Sequence, residues 1–136
     1  MKIMAIDYGD VRTGVAFSDI NEMLASPYTV IKESYQPKLI TKLCEIVEKE
    51  DAKKVVIGLP RNMDGSYGYR TDKCRELGEN LKEACGIDVF YQDERLTTVI
   101  AHDILSLNNV KGKKRKEKVD AVSAVMILQS FLDKNN

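Results

Sequence analysis

Apolar residues recur along this chain with two different periods, and the places where the period changes mark out its elements. Ile3, Met4, Ala5 and Ile6 run together without alternation, the pattern of a strand covered on both faces. Asp7 ends the run, and Tyr8-Gly9-Asp10 is turn chemistry, with Gly9 able to take the positive φ that a tight reversal needs. Thr13, Val15 and Phe17 then alternate with Gly14, Ala16 and Ser18, which predicts a second strand paired antiparallel with the first. Ser26-Pro27 interrupts the pattern before Tyr28-Thr29-Val30-Ile31, a third strand. Pro27 suits an edge there, because it has no N–H to give to a ladder.

The period changes after Pro37, a residue well placed in the first turn of a helix. From Lys38 to Glu50, Leu39, Ile40, Leu43, Ile46 and Val47 recur at helical spacing with charges opposite. Val55-Val56-Ile57 is a wholly apolar fourth strand leading into Gly58-Leu59-Pro60, and a buried strand after a helix predicts parallel pairing through a crossover. The loop from Pro60 to Gly68 is rich in turn formers and long enough to be functional. A helix from about Tyr69 to Cys85 follows, with Cys74, Leu77, Leu81 and Ala84 on one face and Gly86 as its stop. Val89-Phe90-Tyr91-Gln92 is the fifth strand. Thr97 or Thr98 can cap a further helix carrying Val99, Ile100, Ile104, Leu105 and Leu107. After a basic loop, a last helix runs from about Glu117 to Asp133 and is apolar over most of its circumference, so it is expected to pack broadly on the sheet. Asp120 shares a side of that helix with Ala124 and Ile127 and so points toward protein. The order β-β-β-α-β-α-β-α-α predicts an α/β fold, an antiparallel meander followed by right-handed crossovers, in one domain over 1–136.

Composition narrows the class. With 43% hydrophobic and 31% charged residues, the 136-residue chain can bury one core. It has no apolar run near the roughly 20 residues of a membrane span. Its start lacks the basic, apolar and small-residue pattern of a signal peptide. Cys44, Cys74 and Cys85 are odd in number and form no Cys-x-x-Cys pair, which predicts reduced, semi-buried thiols in a cytoplasmic protein. Net charge is zero, yet six basic residues against Glu117 alone lie between Lys111 and Lys118. That run reads either as a phosphate-holding patch or as a solvated tether between helices.

The chemistry rests on three acids. Asp7 ends the first strand, Glu94 follows the fifth, and Asp120 lies at the start of the last helix. Sites in open α/β sheets form outside the carboxyl ends of parallel strands, where Asp7 and Glu94 would share a crevice. Asp7 alone is equally well read as the opening of a turn. If the three converge, a hard cation must relieve their repulsion, and an oxygen-only donor set suits Mg²⁺ or Mn²⁺. Zinc is disfavoured by the single His102, read as a surface or semi-buried residue, and by scattered cysteines. Carboxylates holding Mg²⁺ beside basic residues are the layout for phosphodiester hydrolysis. Arg12, Arg61, Arg70, Arg95, Lys113, Lys114, Arg115 and Lys116 are the candidate nucleic-acid contacts.

Four blocks in order resemble one family: Ala5-Ile6-Asp7-Tyr8-Gly9 with Arg12-Thr13-Gly14-Val15-Ala16 and Ser18-Asp19; Gly58-Leu59-Pro60 with Asn62-Met63-Asp64-Gly65-Ser66; Asp93-Glu94-Arg95-Leu96-Thr97-Thr98; and the basic run with Asp120-Ala121-Val122-Ser123-Ala124 and Ile127-Leu128-Gln129. The chain resembles, over nearly its full length, the YqgF/RuvX family of pre-16S ribosomal RNA nucleases, also described as Holliday-junction-resolvase-like proteins. The resemblance implies a ribonuclease-H-like fold with a five-stranded mixed sheet, its first three strands antiparallel, flanked by helices. It implies that Asp7, Glu94 and Asp120 are both the catalytic and the metal-binding acids, and that Arg12 and Arg95 lie near the cleft. It departs from the family at Val11, where a Lys is frequent, and Ser123 stands where related resolvases can use a further acid.

The expected activity is that of a metal-dependent endonuclease maturing the 5′ end of pre-16S ribosomal RNA. The alternatives are a branched-DNA resolvase and a non-catalytic RNA-binding assembly factor. A nucleotide-binding protein of the actin and sugar-kinase type is a further reading, from Asp7-Tyr8-Gly9 with Gly14, but those proteins close two such domains around the nucleotide. A cytoplasmic monomer or weak homodimer without membrane contact is expected.

Overall fold

The computed structural model describes residues 1–60, 68–93 and 112–135, with side chains over 122–134 in the last segment. Its first strand, Ile3–Asp7 (β1), buries four consecutive apolar residues, and only a strand inside a sheet covered on both sides can do that. Accordingly β1 is central. It pairs antiparallel with Arg12–Ser18 (β2) and parallel with Lys54–Leu59 (β4). Ala25–Lys32 (β3) adds antiparallel to β2, and Asp88–Asp93 (β5) adds parallel to β4, giving the order β3-β2-β1-β4-β5. The α/β architecture expected from the sequence is therefore observed, with its first three strands antiparallel.

The strands run slightly beyond their apolar cores. β3 starts at Ala25, three residues ahead of the predicted Tyr28, because its edge position tolerates Pro27 within the ladder. Val15 pairs with Thr29 and Ala16 with Pro27, so Tyr28 is the extra residue of a bulge. Its ring packs edge-on against Phe17, with centroids 4.9 Å apart.

Strand alternation sorts the core into two layers. Gln36–Glu50 (α1) and Tyr69–Cys85 (α2) cover one face, where Leu39, Leu43, Leu77 and Leu81 meet Met4, Ile6, Val15 and Ile57. Each such leucine contributes about 1.5–3 kcal/mol on burial. Gly112–Asn135 (α3) covers the other face with Ala124, Ile127, Leu128 and Leu132 against Ile3, Ala5, Ala16 and Val56. Pro37 occupies the first turn of α1 as predicted. Gly86 caps α2 at φ 69°, its N–H bonded to the Lys82 carbonyl at 2.7 Å. Thr71 and Gly78 are buried on α2, whereas Ala84, assigned to that face from its spacing, is exposed. A side chain at Gly78 would collide with the Tyr91 hydroxyl, which lies across it.

One boundary differs substantively. The basic run expected as a loop belongs to α3, which begins at Gly112 instead of Glu117. Lys, Arg and Glu are good helix formers, and no breaker stands between Gly112 and the apolar stretch. The helix predicted over Val99 to Leu107, His102 and the loop residues 61–67 lie outside the described residues. Among the described residues no helix is long and apolar enough to cross a membrane.

Candidate metal and nucleic-acid site

Asp7 is half-buried at the carboxyl end of β1. Ile3 and Ala5 face α3, so alternation puts Asp7 on that same face. The residue directly opposite it in the ladder is Gly14, which leaves the space beside the carboxylate free of a competing side chain. Arg12 lies two positions further along β2 on the same face, in reach of that space for a long side chain. Its Nε is buried and has no hydrogen-bond partner among the described residues. A buried N–H donor left unmatched is costly, and an anionic oxygen is what would satisfy it.

The β1–β2 turn is held from several directions. Gly9 does not adopt the positive φ expected for it; what demands glycine is space, because a Cβ there would run into the Arg12 carbonyl. Arg70, in the first turn of α2, donates from Nη1 to Asp10 Oδ1 and from Nη2 to the Tyr8 carbonyl, each at 2.7 Å. Burial opposes the Arg70 charge, but Asp10 outweighs it, Asp7 adds to that, and the guanidinium pKa is raised. Two donors of this predicted phosphate contact are thus engaged in clamping the turn. Gln36 of α1 donates to the Tyr8 hydroxyl at 3.3 Å, and the Thr71 hydroxyl donates to the Pro60 carbonyl at the end of β4. Both helices of the opposite layer therefore fix the strand ends that flank Asp7.

The axial placement of α3 follows from one amide. Gln129 accepts from the Ala25 N–H at 3.0 Å and donates to the Met23 carbonyl at 3.1 Å. Ala25 pairs with Ser18, whose hydroxyl accepts from the Ile3 N–H at 2.9 Å, so Gln129 is level with the start of β1. Nine residues back along a helix is about 13.5 Å. The four steps from Ile3 to Asp7 along a strand cover about 13 Å. Asp120 lies those nine residues before Gln129, toward the amino end of α3, the helix that covers the Asp7 face of the sheet. Ser123, one turn further on, is fully buried, and its hydroxyl has no partner among the described residues. Nothing in the sequence announces this unmatched hydroxyl.

The third acid follows β5. Ile6, Ile57 and Tyr91 are in register, so the three parallel strands end at one edge of the sheet, and β5 reaches Asp93 there. Glu94 is the next residue; it, Arg61 and Arg95 lie outside the described residues. The backbones of Lys113, Lys114, Arg115 and Lys116 form the first turns of α3, roughly 6–10 Å beyond Asp120 and away from the core. Among the described residues no three acids, cysteines or histidines gather as a metal cluster, since Asp7 is the one predicted ligand whose side chain is described.

A family model described as RuvX, Holliday junction resolvase, matches residues 1–134. The chain belongs to this family. A protein of Thermoanaerobacter pseudethanolicus named "Putative pre-16S rRNA nuclease" is 40% identical over 134 residues, covering 98% of this chain and 96% of its own length. A Bacillus cereus protein of the same name is 40% identical over 136 residues, covering 98% and 99%. Among solved structures, Thermus thermophilus RuvC in complex with a Holliday junction substrate superposes with a TM-score of 0.62 at 14% identity, covering 99% of this chain and 96% of that one. The fowlpox virus resolvase in complex with Holliday junction DNA gives 0.58 at 12% identity, covering 99% of both. The fold of this chain is thus the ribonuclease-H-like α/β fold of the resolvases.

Proposed function

We propose that this chain is a divalent-metal-dependent endonuclease that hydrolyses phosphodiester bonds in structured nucleic acid, with the precursor of 16S ribosomal RNA as its substrate in the cytoplasm. The observation that carries the reading is Asp7 at the carboxyl end of the central strand, on the face covered by α3. Relatives at 40% identity bearing the pre-16S rRNA nuclease name support it.

Asp7, Glu94 and Asp120 would hold the cation. Two carboxylates about 4 Å apart repel by about 4 kcal/mol at an effective dielectric of 20, so the set calls for a positive partner. Oxygen donors alone fit Mg²⁺ or Mn²⁺. The cysteines, which would favour a softer ion, sit in the α1/α2 layer across the sheet. A bound divalent cation supplies Lewis acidity toward the reacting phosphate. The protein's part is to orient the phosphate. Arg12 offers its unmatched buried Nε–H to a non-bridging oxygen. The cationic first turns of α3 would hold the nucleic-acid backbone, helped by the absence of acids in the first turn and by the helix N-terminus. Arg61 and Arg95 are further candidate phosphate contacts.

The test is incubation of a 5′-extended 16S precursor with Mg²⁺, using Asp7→Asn as control and a four-way DNA junction in parallel. Cleavage of the RNA that disappears in the variant is the expected result. The family description favours a second reading, resolution of branched DNA, and cleavage of the junction alone would establish it. Binding without cleavage of either substrate would leave an RNA-binding assembly factor.

A further inference from the structure

Cys44 in α1 and Cys85 at the end of α2 are 41 residues apart in sequence, yet their sulfurs stand 2.6 Å from each other. Both are reduced and half-buried, so they are reachable from solvent without unfolding. Their positions are fixed by rigid neighbours: Leu43 beside Cys44 is fully buried, and so are Leu81 and Leu77, one and two turns before Cys85. A second link between the same helices, Asn80 to Gln36 at 2.8 Å, holds them together from the other side. Gly86 then turns the chain into the amino end of β5, the end of the sheet opposite the carboxylates. The nuclease reading makes no use of this pair.

We propose that Cys44 and Cys85 form a dithiol site that exchanges with small disulfides such as oxidised glutathione and closes into a reversible covalent clasp between α1 and α2. In the first step the Cys44 thiolate attacks one sulfur of the small disulfide, releasing one thiol and leaving a mixed disulfide on Cys44. In the second, the Cys85 sulfur attacks Cys44, its proton passes to solvent, and the second small thiol leaves. The protein loses two hydrogens and two electrons, and the small disulfide is reduced to two thiols. The order of events has a physical basis. Burial, and then the neighbouring Cys44 sulfur, push the Cys85 thiol up to about 12, so it stays protonated at neutral pH and does not begin the exchange.

The test is to incubate the full chain with oxidised glutathione and read free thiols and intact mass after denaturation without reductant. Three titratable thiols should fall to one, with a mass loss of two hydrogens, and peptide mapping should join the segments holding Cys44 and Cys85. The oxidised form should melt roughly 10 °C higher, and dithiothreitol should reverse both changes. Cys85→Ser should accumulate a glutathione adduct on Cys44, whereas Cys44→Ser should leave Cys85 unmodified. Retention of three thiols in the wild type, or bonds that map to Cys74 or between molecules, would overturn the proposal. Peptide mapping of the wild type decides it even if a variant fails to fold.

Discussion

The two faces of the sheet are filled with side chains of different size. Toward α1 and α2 the central strands present Met4, Ile6, Val15, Phe17, Val55 and Ile57, and leucines meet them. Toward α3, β1 and β2 present Ala5, Gly14 and Ala16 near the Asp7 end, with Val56 of β4 beside Ala5; Ala124 packs in this layer, while Ile127, Leu128 and Leu132 follow further along the helix. One face is built for bulk. The other presents smaller side chains to α3 at the Asp7 end, where tight packing makes the fit sensitive to a single methylene. The comparison teaches that one layer supplies stability and the other supplies distance.

Substitutions should separate the two roles. Asp7→Asn should lower metal-dependent cleavage at least a hundredfold with an unchanged melting temperature. Leu43→Ala, on the bulky side, should lose about 2–5 kcal/mol in urea unfolding yet leave the turnover of the folded fraction intact. Ala124→Leu sharpens the contrast: overpacking should lose about 1–3 kcal/mol, and displacement of the acid should lower cleavage by roughly a hundredfold. If that variant cleaves normally, close approach of α3 is not what the small residues provide. Gly9→Ala forces the turn away from the Arg12 carbonyl and should destabilise by about 1–3 kcal/mol, read by thermal unfolding.

Smaller effects probe the support around the site. Arg70→Lys keeps the charge but loses the fork that reaches both Asp10 and Tyr8, and should lower stability by about 0.5–1.5 kcal/mol. The smallest effect is remote from both layers. Asp19 accepts from the Leu24 and Met23 N–H groups, which lower its pKa below 3.8. A depressed carboxylate contributes fully above its ordinary value and loses that contribution as pH falls through the lower folded one. Urea midpoints measured from about pH 5 down to pH 2 should therefore fall less steeply for Asp19→Asn than for the wild type.

Much of this was legible in the residue pattern, for stated reasons. Ile3 to Ile6 announced a central strand because no edge can bury four apolar residues in succession, and the period over Leu39 to Val47 admitted only a helix. Asp7 was visible because it closes an apolar strand, where a charge is expensive. What escaped depends on three-dimensional neighbours. The basic run read as a loop because its charge masks how well Lys, Arg and Glu form helix. The pairing of Arg70 with Asp10 is one such relation, since a sequence does not show that the two lie opposite each other. Gly9 was assigned to a backbone angle when its reason is crowding, and a separation of 41 residues hid the meeting of Cys44 with Cys85.

The bond from Gln129 to the chain at Met23 and Ala25 makes α3 a gauge of fixed length. Its zero mark is the hairpin between β2 and β3, and its reading, nine residues away, is Asp120. Inserting or deleting one residue between those marks would swing the acid by about 100° and slide it by about 1.5 Å. The helix can therefore change its surface freely over that interval, but not its count.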